Sequence, residues 1–337
     1  MKKITHIFVL LTLVLFSCKT ENKTNENNSQ TIPTEISQTK WDNSYGGADK
    51  SYDLELLKMR EKIAPTFKTL KFTDKTTGKT MEYSLFVPKN YDKTKKYPLV
   101  LFMADASTVG KGVIAPLMQG YGGIIWATDE SQAKNPSFVL VPSYKGPETT
   151  AKGMKTVVND SWETTEEVDI TLRLLDAVVT EYRIDKNRLY TTGQSMGGMM
   201  SFYFNVKKPD LFAASLFVGS QWDIAVLEPL TKKNFFYVVS AGDEKASKGM
   251  QELGEMLTKK GVKFGEKEFS AKLSSTEKEK QISELINENL PINFVKFTAK
   301  TVTPSEETKG GAEHMYSFDY AYQLESVRDW LFKQTKK

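Results

Sequence analysis

Residues 190–199 read YTTGQSMGGM. Gly193, Ser195 and Gly197 form G-x-S-x-G, and the flanks give the pattern its meaning. It follows RLYTTG (188–193), a β-branched and aromatic run that suits a buried strand, and precedes MMSFYFNVKKPD, which suits a helix. Strand, sharp turn and helix are the setting in which a serine hydroxyl is lifted above the end of a sheet. Such a turn crowds its neighbours and leaves no room for side chains at the flanking positions. The next backbone N–H, that of Met196, opens the helix and is placed to stabilise an oxyanion. Ser195 is therefore a candidate nucleophile.

Outward from this turn, short continuous apolar runs recur: YPLVLFM (97–103), SFVLVP (137–142), ASLFVG (214–219) and FFYVVS (235–240). Runs of this kind suit strands buried on both faces. Between them lie helical periodicities, most clearly Val168, Leu172, Leu175, Val179 and Tyr182 on one face. The alternation predicts an α/β class with a mostly parallel sheet covered by helices on both sides. Near the start, FKTLKFTD and TMEYSLFVP flank KTTGK, whose Gly78 suits the turn of an antiparallel hairpin. The charged stretch EKEFSAKLSSTEKEKQISELINENLPI reads as a surface helix inserted before the last strand, NFVKFTA, and a final helix is expected over roughly 317–333.

The 337 residues carry 46 Lys plus Arg against 42 Asp plus Glu, and part of the excess lies in the first three residues. That balance argues against a nucleic-acid partner. The opening MKKITHIFVLLTLVLFSC has a basic start and an apolar run too short to span a bilayer, so residues 1–17 read as a secretory signal. Cys18 is the only cysteine, which rules out an intramolecular disulfide. LFSC resembles the lipobox of bacterial lipoproteins, which implies that Cys18 is the lipid-modified first residue of an exported chain held at a membrane, on its periplasmic or cell-surface face. The polar segment after it cannot bury enough surface to order itself, so 18–45 is expected to be a flexible tether and 46–337 the globular domain.

A serine needs a base to take its proton, and histidine has the pKa for it. The chain has two histidines; His6 goes with the leader, leaving His314 in the glycine-containing loop KGGAEHMYSFDYA. An acid should orient that imidazole. Asp243, just past the strand FFYVVS, gives the chain order serine, aspartate, histidine expected of such a sheet; Glu244 next door and Asp223 after the preceding strand are the rivals.

IDKNRLYTTGQSMGGMMSFYF, SAGDEKAS and GGAEHMYSFDYAYQLESVRDWLF resemble the α/β-hydrolase esterases often labelled predicted peptidases, relatives of polyhydroxybutyrate-depolymerase-type, feruloyl and acetylxylan esterases. The resemblance covers about residues 66–333. It implies an α/β-hydrolase fold and ester hydrolysis through an acyl-enzyme, without a cofactor, with Ser195, Asp243 and His314 in the matching positions. One departure stands out. Such esterases carry His-Gly after the third strand to supply the second oxyanion donor, whereas this chain reads LFMADASTVGKG. The backbone of Asp105 or Ala106 is left as the donor, with Ala106 preferred, and a carboxylate at Asp105 facing the oxyanion would oppose catalysis.

Gln194 beside the serine, Trp222 past LFVG and Trp162 in the long preceding loop are candidates for substrate contact, the tryptophans as an aromatic wall. The expected substrate is a small or polysaccharide-linked ester, feruloyl or acetyl. A serine peptidase on the same fold, or a binding lipoprotein that has lost catalysis, are the alternatives. One mature histidine and one cysteine leave no clustered metal ligands.

Overall fold

The strand-forming runs assemble into one nine-stranded sheet of order β1-β2-β4-β3-β5-β6-β7-β9-β8 in a computed structural model that describes residues 41–146, 156–305 and 312–336. The strands are β1 (Lys68–Thr73), β2 (Thr80–Phe86), β3 (Tyr97–Met103), β4 (Phe138–Ser143), β5 (Ile184–Gln194), β6 (Ala214–Val218), β7 (Phe235–Ser240), β8 (Gly265–Phe269) and β9 (Ile292–Phe297). The β1–β2 hairpin and the β2–β4 pair are antiparallel, and every other neighbouring pair is parallel. The helices are α1 (Leu54–Ile63), the short α2 (Ala115–Met118) and α3 (Asp129–Lys134), then α4 (Glu166–Glu181), α5 (Met196–Lys207), α6 (Glu244–Lys259), α7 (Ser275–Ile286), α8 (Ala312–Gln323) and α9 (Glu325–Lys333).

The all-apolar strands are buried on two faces, each covered by its own helices. Along β3, Leu99, Leu101 and Met103 join a core with residues of α4, α5 and α6, whereas Val100, Phe102 and Ala104 join a second core with residues of α1, α8 and α9. A period of two sends alternate residues to opposite faces, so a strand with no polar residue needs cover on both. Among the described residues, no helix is long and apolar enough to cross a membrane.

Three features differ from the sequence reading. The charged stretch before the last strand opens with β8 rather than with helix; only Gly265 and Phe269 are buried in it, which is the pattern of a half-covered edge strand. Helix α7 follows, started by a capping box between Ser274 and Glu277. The final helix begins earlier than expected, at Ala312, and breaks at Leu324 into α8 and α9, so His314 sits in a first helical turn and not in a loop. Finally, Trp41 is only 3% exposed, with the Arg60 guanidinium 4.6 Å over its ring, and Asn43–Tyr45 form a helical turn. Residues 41–45 therefore belong to the folded body, because burying that indole requires them, and not to the tether. The leader, Cys18 and the tether up to residue 40 lie outside the described residues.

The hairpin is pinned to α4 by one carboxylate. Asp74 accepts from Arg173 Nε at 2.7 Å and Nη2 at 3.0 Å, and from the Thr77 hydroxyl and N–H at 2.7 and 3.0 Å. The guanidinium foremost, with the threonine donors, holds the Asp74 carboxyl down at about 2, from an ordinary 3.8. A depressed folded-state pKa gives stability that is complete above the unfolded value and is lost as pH falls through the folded one. The stability difference between wild type and Asp74→Asn, measured by urea unfolding, should therefore stay constant above roughly pH 4 and shrink toward zero as pH approaches about 2.

Candidate active site

Ser195 ends β5 and opens α5 with φ 52° and ψ −119°, a region a residue with a side chain rarely occupies. Glycines make this turn possible. A Cβ on Gly193 would collide with the Gly197 carbonyl, one on Gly197 with the Met103 carbonyl at the end of β3, and one on Gly198 with the Ser220 hydroxyl. The Ser195 N–H donates to the Val218 carbonyl at 3.0 Å, which ties the turn to the end of β6. The hydroxyl thus stands at the carboxyl edge of the parallel strands, where ligands bind in open α/β sheets.

His314 joins the two other candidates. Its Nε2 lies 2.8 Å from Ser195 Oγ, and its Nδ1 lies 2.5 Å from Asp243 Oδ2. With Asp243 ionised, the proton sits on Nδ1, and the Nε2 lone pair faces the hydroxyl. Asp243 is held in turn: its side chain is 6% exposed, and its other oxygen caps α6 by accepting from the Ala246 N–H at 3.3 Å. The Phe318 ring stands edge-on to the imidazole at 5.0 Å. The rival acids are elsewhere: Asp223 caps the turn at Ile224–Val226, and Glu244 opens α6 without touching the histidine.

A fourth residue was invisible in the sequence. Glu313, next to the histidine, accepts from Ser240 Oγ at 2.6 Å and from the Lys300 N–H at 2.9 Å. Its carboxylate lies where a Cβ on Gly242 would be, so a side chain there would push the carboxylate from its place. Ser240 ends β7 and Gly242 precedes Asp243, so this one side chain ties the histidine's turn to the strand that delivers the aspartate. A glutamate at a helix start reads as ordinary dipole compensation, which is why the sequence gives no hint of it.

Asp105 does not face the serine. It is buried, and its Oδ1 accepts from the Ser107 N–H at 2.8 Å and from the Ser107 hydroxyl, while Oδ2 accepts from Gln194 Nε2 at 2.9 Å. The carboxylate is consumed in capping the turn Ala106–Thr108, and the same bond retires Gln194 as a substrate contact, since its side chain is buried behind the turn. Ala106, half-buried, starts that turn, and the collision at Gly197 shows how closely α5 abuts the end of β3. Among the described residues, neither the Ala106 nor the Met196 N–H has a protein acceptor.

A cavity of about 570 Å³ opens beside the three residues, with Met199 and Gly219 on its floor and Asp160, Gln221 and Lys245 on its rim. Asp160 bridges the rim, accepting from Lys245 Nζ at 2.5 Å and Gln221 Nε2 at 3.2 Å. Neither expected tryptophan lines this cavity. Trp222 is buried, packed between Trp162 at 5.5 Å and Tyr203 at 5.7 Å. Trp162 occupies the left-handed turn (φ 63°) that follows Asp160, so the indole pair anchors the rim from behind. A larger open groove of about 940 Å³ between α6 and the β8–β9 face contains none of the three candidates.

Residues 75–234 match the family described as "Putative esterase". The chain has the α/β-hydrolase fold, and the matched segment lies within it. That segment contains the Ser195 turn and stops before Asp243 and His314, whose pairing rests on the distances above. The fold is shared with a solved structure described as a thermostable esterase (22% identity, TM-score 0.62, 81% of this chain and 64% of that one). The chain thus spans somewhat under two thirds of that esterase. A ferulic acid esterase shares it at 13% identity and TM-score 0.50, over 79% of this chain and 98% of that one. So does a protein described as a "putative dipeptidyl aminopeptidase IV" from Bacteroides ovatus, at 13% identity and TM-score 0.50, over 80% and 36%. No curated protein sequence matches the chain.

Removing the Glu313 carboxylate leaves the Ser240 hydroxyl and the Lys300 N–H unpaired. Glu313→Ala should therefore cost about 1–3 kcal/mol of stability in urea unfolding, with Glu313→Gln losing less, since its one amide oxygen still accepts from the Lys300 N–H while its NH2 donates to the Ser240 hydroxyl.

Proposed function

We propose that the protein is a serine carboxylic-ester hydrolase that works through an acyl-enzyme. The observation that carries this reading is the bridging imidazole, 2.8 Å from Ser195 Oγ and 2.5 Å from Asp243. His314 Nε2 takes the hydroxyl proton as Ser195 Oγ bonds to the ester carbonyl carbon. The carbonyl oxygen becomes an oxyanion to which the Met196 and Ala106 N–H groups donate. Collapse breaks the bond to the alcohol, which leaves with the proton from His314. Water then enters by the same route in reverse order: the imidazole takes its proton, the oxygen attacks the acyl carbon, and Ser195 departs reprotonated. Asp243 fixes the tautomer and stabilises the imidazolium at each stage.

The silent-binder alternative drew on an Asp105 carboxylate opposing the oxyanion, and the bonds from Ser107 and Gln194 remove that motive. For substrate, the reading is a carbohydrate-linked acetyl or feruloyl ester. The rim of Asp160, Gln221 and Lys245 supplies donors and acceptors for hydroxyl groups on the alcohol side, and the fold is shared with a ferulic acid esterase. For location, the reading remains an exported chain attached through a lipid on Cys18, supported by the sequence of its first eighteen residues.

Hydrolysis of p-nitrophenyl acetate and butyrate by the full chain, beside Ser195→Ala and His314→Ala, tests the reaction. Each variant should fall by roughly 10⁴-fold or more in kcat with the fold intact by circular dichroism. A Ser195→Ala variant as active as wild type would sink the reading. Release of ferulate or acetate from sugar-linked esters, at a higher kcat/KM than from the matching alkyl esters, tests the substrate.

A further inference from the structure

The segment between Trp41 and α1 touches both halves of the candidate site. On one side it meets the turn that starts at Asp105. The Gly47 N–H donates to Ser107 Oγ at 2.8 Å, and that hydroxyl donates onward to Asp105 Oδ1. Gly46, at φ +80°, lies so close that a Cβ there would collide with the Ser107 backbone. On the other side it meets α8. Lys50, 2% exposed, pairs with Asp319 Oδ2 at 2.6 Å and donates to the Gln119 carbonyl at 2.9 Å. Asp319 Oδ1 accepts from the Tyr121 N–H at 2.9 Å, and the Tyr316 hydroxyl donates to the Asp49 carbonyl at 3.0 Å. Tyr316 and Asp319 follow His314 by two and five residues on the same helix.

A buried ion pair adds little net stability over apolar packing, yet breaking it strands a charge. Its physical value is geometric: only one placement of the segment satisfies Lys50, Asp319 and Gln119 together. The same holds at the other end, where a single hydroxyl sits between a backbone donor and a buried carboxylate.

We propose that residues 46–53 form an arm that positions the active site, and that Ser107 is its principal positioning residue. Through Ser107 the arm fixes the Asp105–Ala106 backbone, and with it the direction of the Ala106 N–H. Through Lys50 it fixes the helix that carries His314. The proposal rests on the serine-hydrolase reading above. Ser107 touches no reacting atom, so its effect must pass through the Ala106 donor. That contact tightens only once the oxyanion has formed, and its loss therefore appears in kcat and not in KM.

The test measures kcat and KM of the full chain on p-nitrophenyl acetate for Ser107→Ala, Ser107→Thr and Gly46→Ala, with Ser195→Ala alongside. Displacing one oxyanion donor without deleting it should lower kcat of Ser107→Ala roughly tenfold, leave KM within about twofold, and slow fluorophosphonate labelling of Ser195 in proportion. Ser107→Thr keeps the hydroxyl and should restore most of the rate. Gly46→Ala, remote from the cavity, should reproduce the loss by pushing the arm off the turn, and it stands as the second variant if Ser107→Ala fails to fold. Wild-type kcat in both Ser107→Ala and Gly46→Ala, with only the melting temperature lowered, would overturn the arm while an inactive Ser195→Ala preserves the hydrolase reading. An active Ser195→Ala would overturn both.

Discussion

The site depends on one backbone constraint: Ser195 is held at positive φ between glycines whose Cβ positions are already occupied by neighbouring backbone. The strain persists because everything around it is over-determined. β5 is central in the sheet, the Ser195 N–H is bonded to β6, and the first turn of α5 lies against the end of β3. A tense residue at the end of a rigid strand is a way of storing orientation. The hydroxyl is aimed before any substrate arrives, so the reaction need not supply the energy to aim it.

The histidine and the aspartate reach that hydroxyl from different parts of the chain, and each is braced by a polar contact of its own. Asp243 doubles as a helix cap, Glu313 ties the histidine's turn to β7, and the Lys50–Asp319 pair holds α8 from the far side. These braces are carboxylates that spend their charge on backbone or side-chain donors close by. Asp105 follows the same rule, so a residue that looks hostile to an oxyanion becomes part of the scaffold.

Much of this was legible in the sequence because the physics is local. The Ser195 turn is written in three glycines, and the parallel sheet in uninterrupted apolar runs. Asp243 stands out at the end of a strand, and His314 as the histidine left once His6 goes with the leader. What was hidden is relational. β8 was masked because GEKEF carries three charged residues and its burial depends on β9 beside it. Trp162 and Trp222 have the composition of a binding wall, and only packing reveals that they face each other. Glu313, Ser107 and Lys50 act on partners 73, 60 and 269 residues away, and no periodicity encodes such pairs.

The two borders of the sheet tell a separate story. An open nine-stranded sheet ends in two unpaired strands, each a template for another chain. Here one border is β1, with Lys68 and Lys71, and the other is β8, only five residues long, with Glu266, Lys267 and Glu268 in succession. Adding a further strand to either would press its backbone against dense charge that must stay hydrated. Both borders therefore carry the charge by which a sheet edge resists pairing with the backbone of another chain.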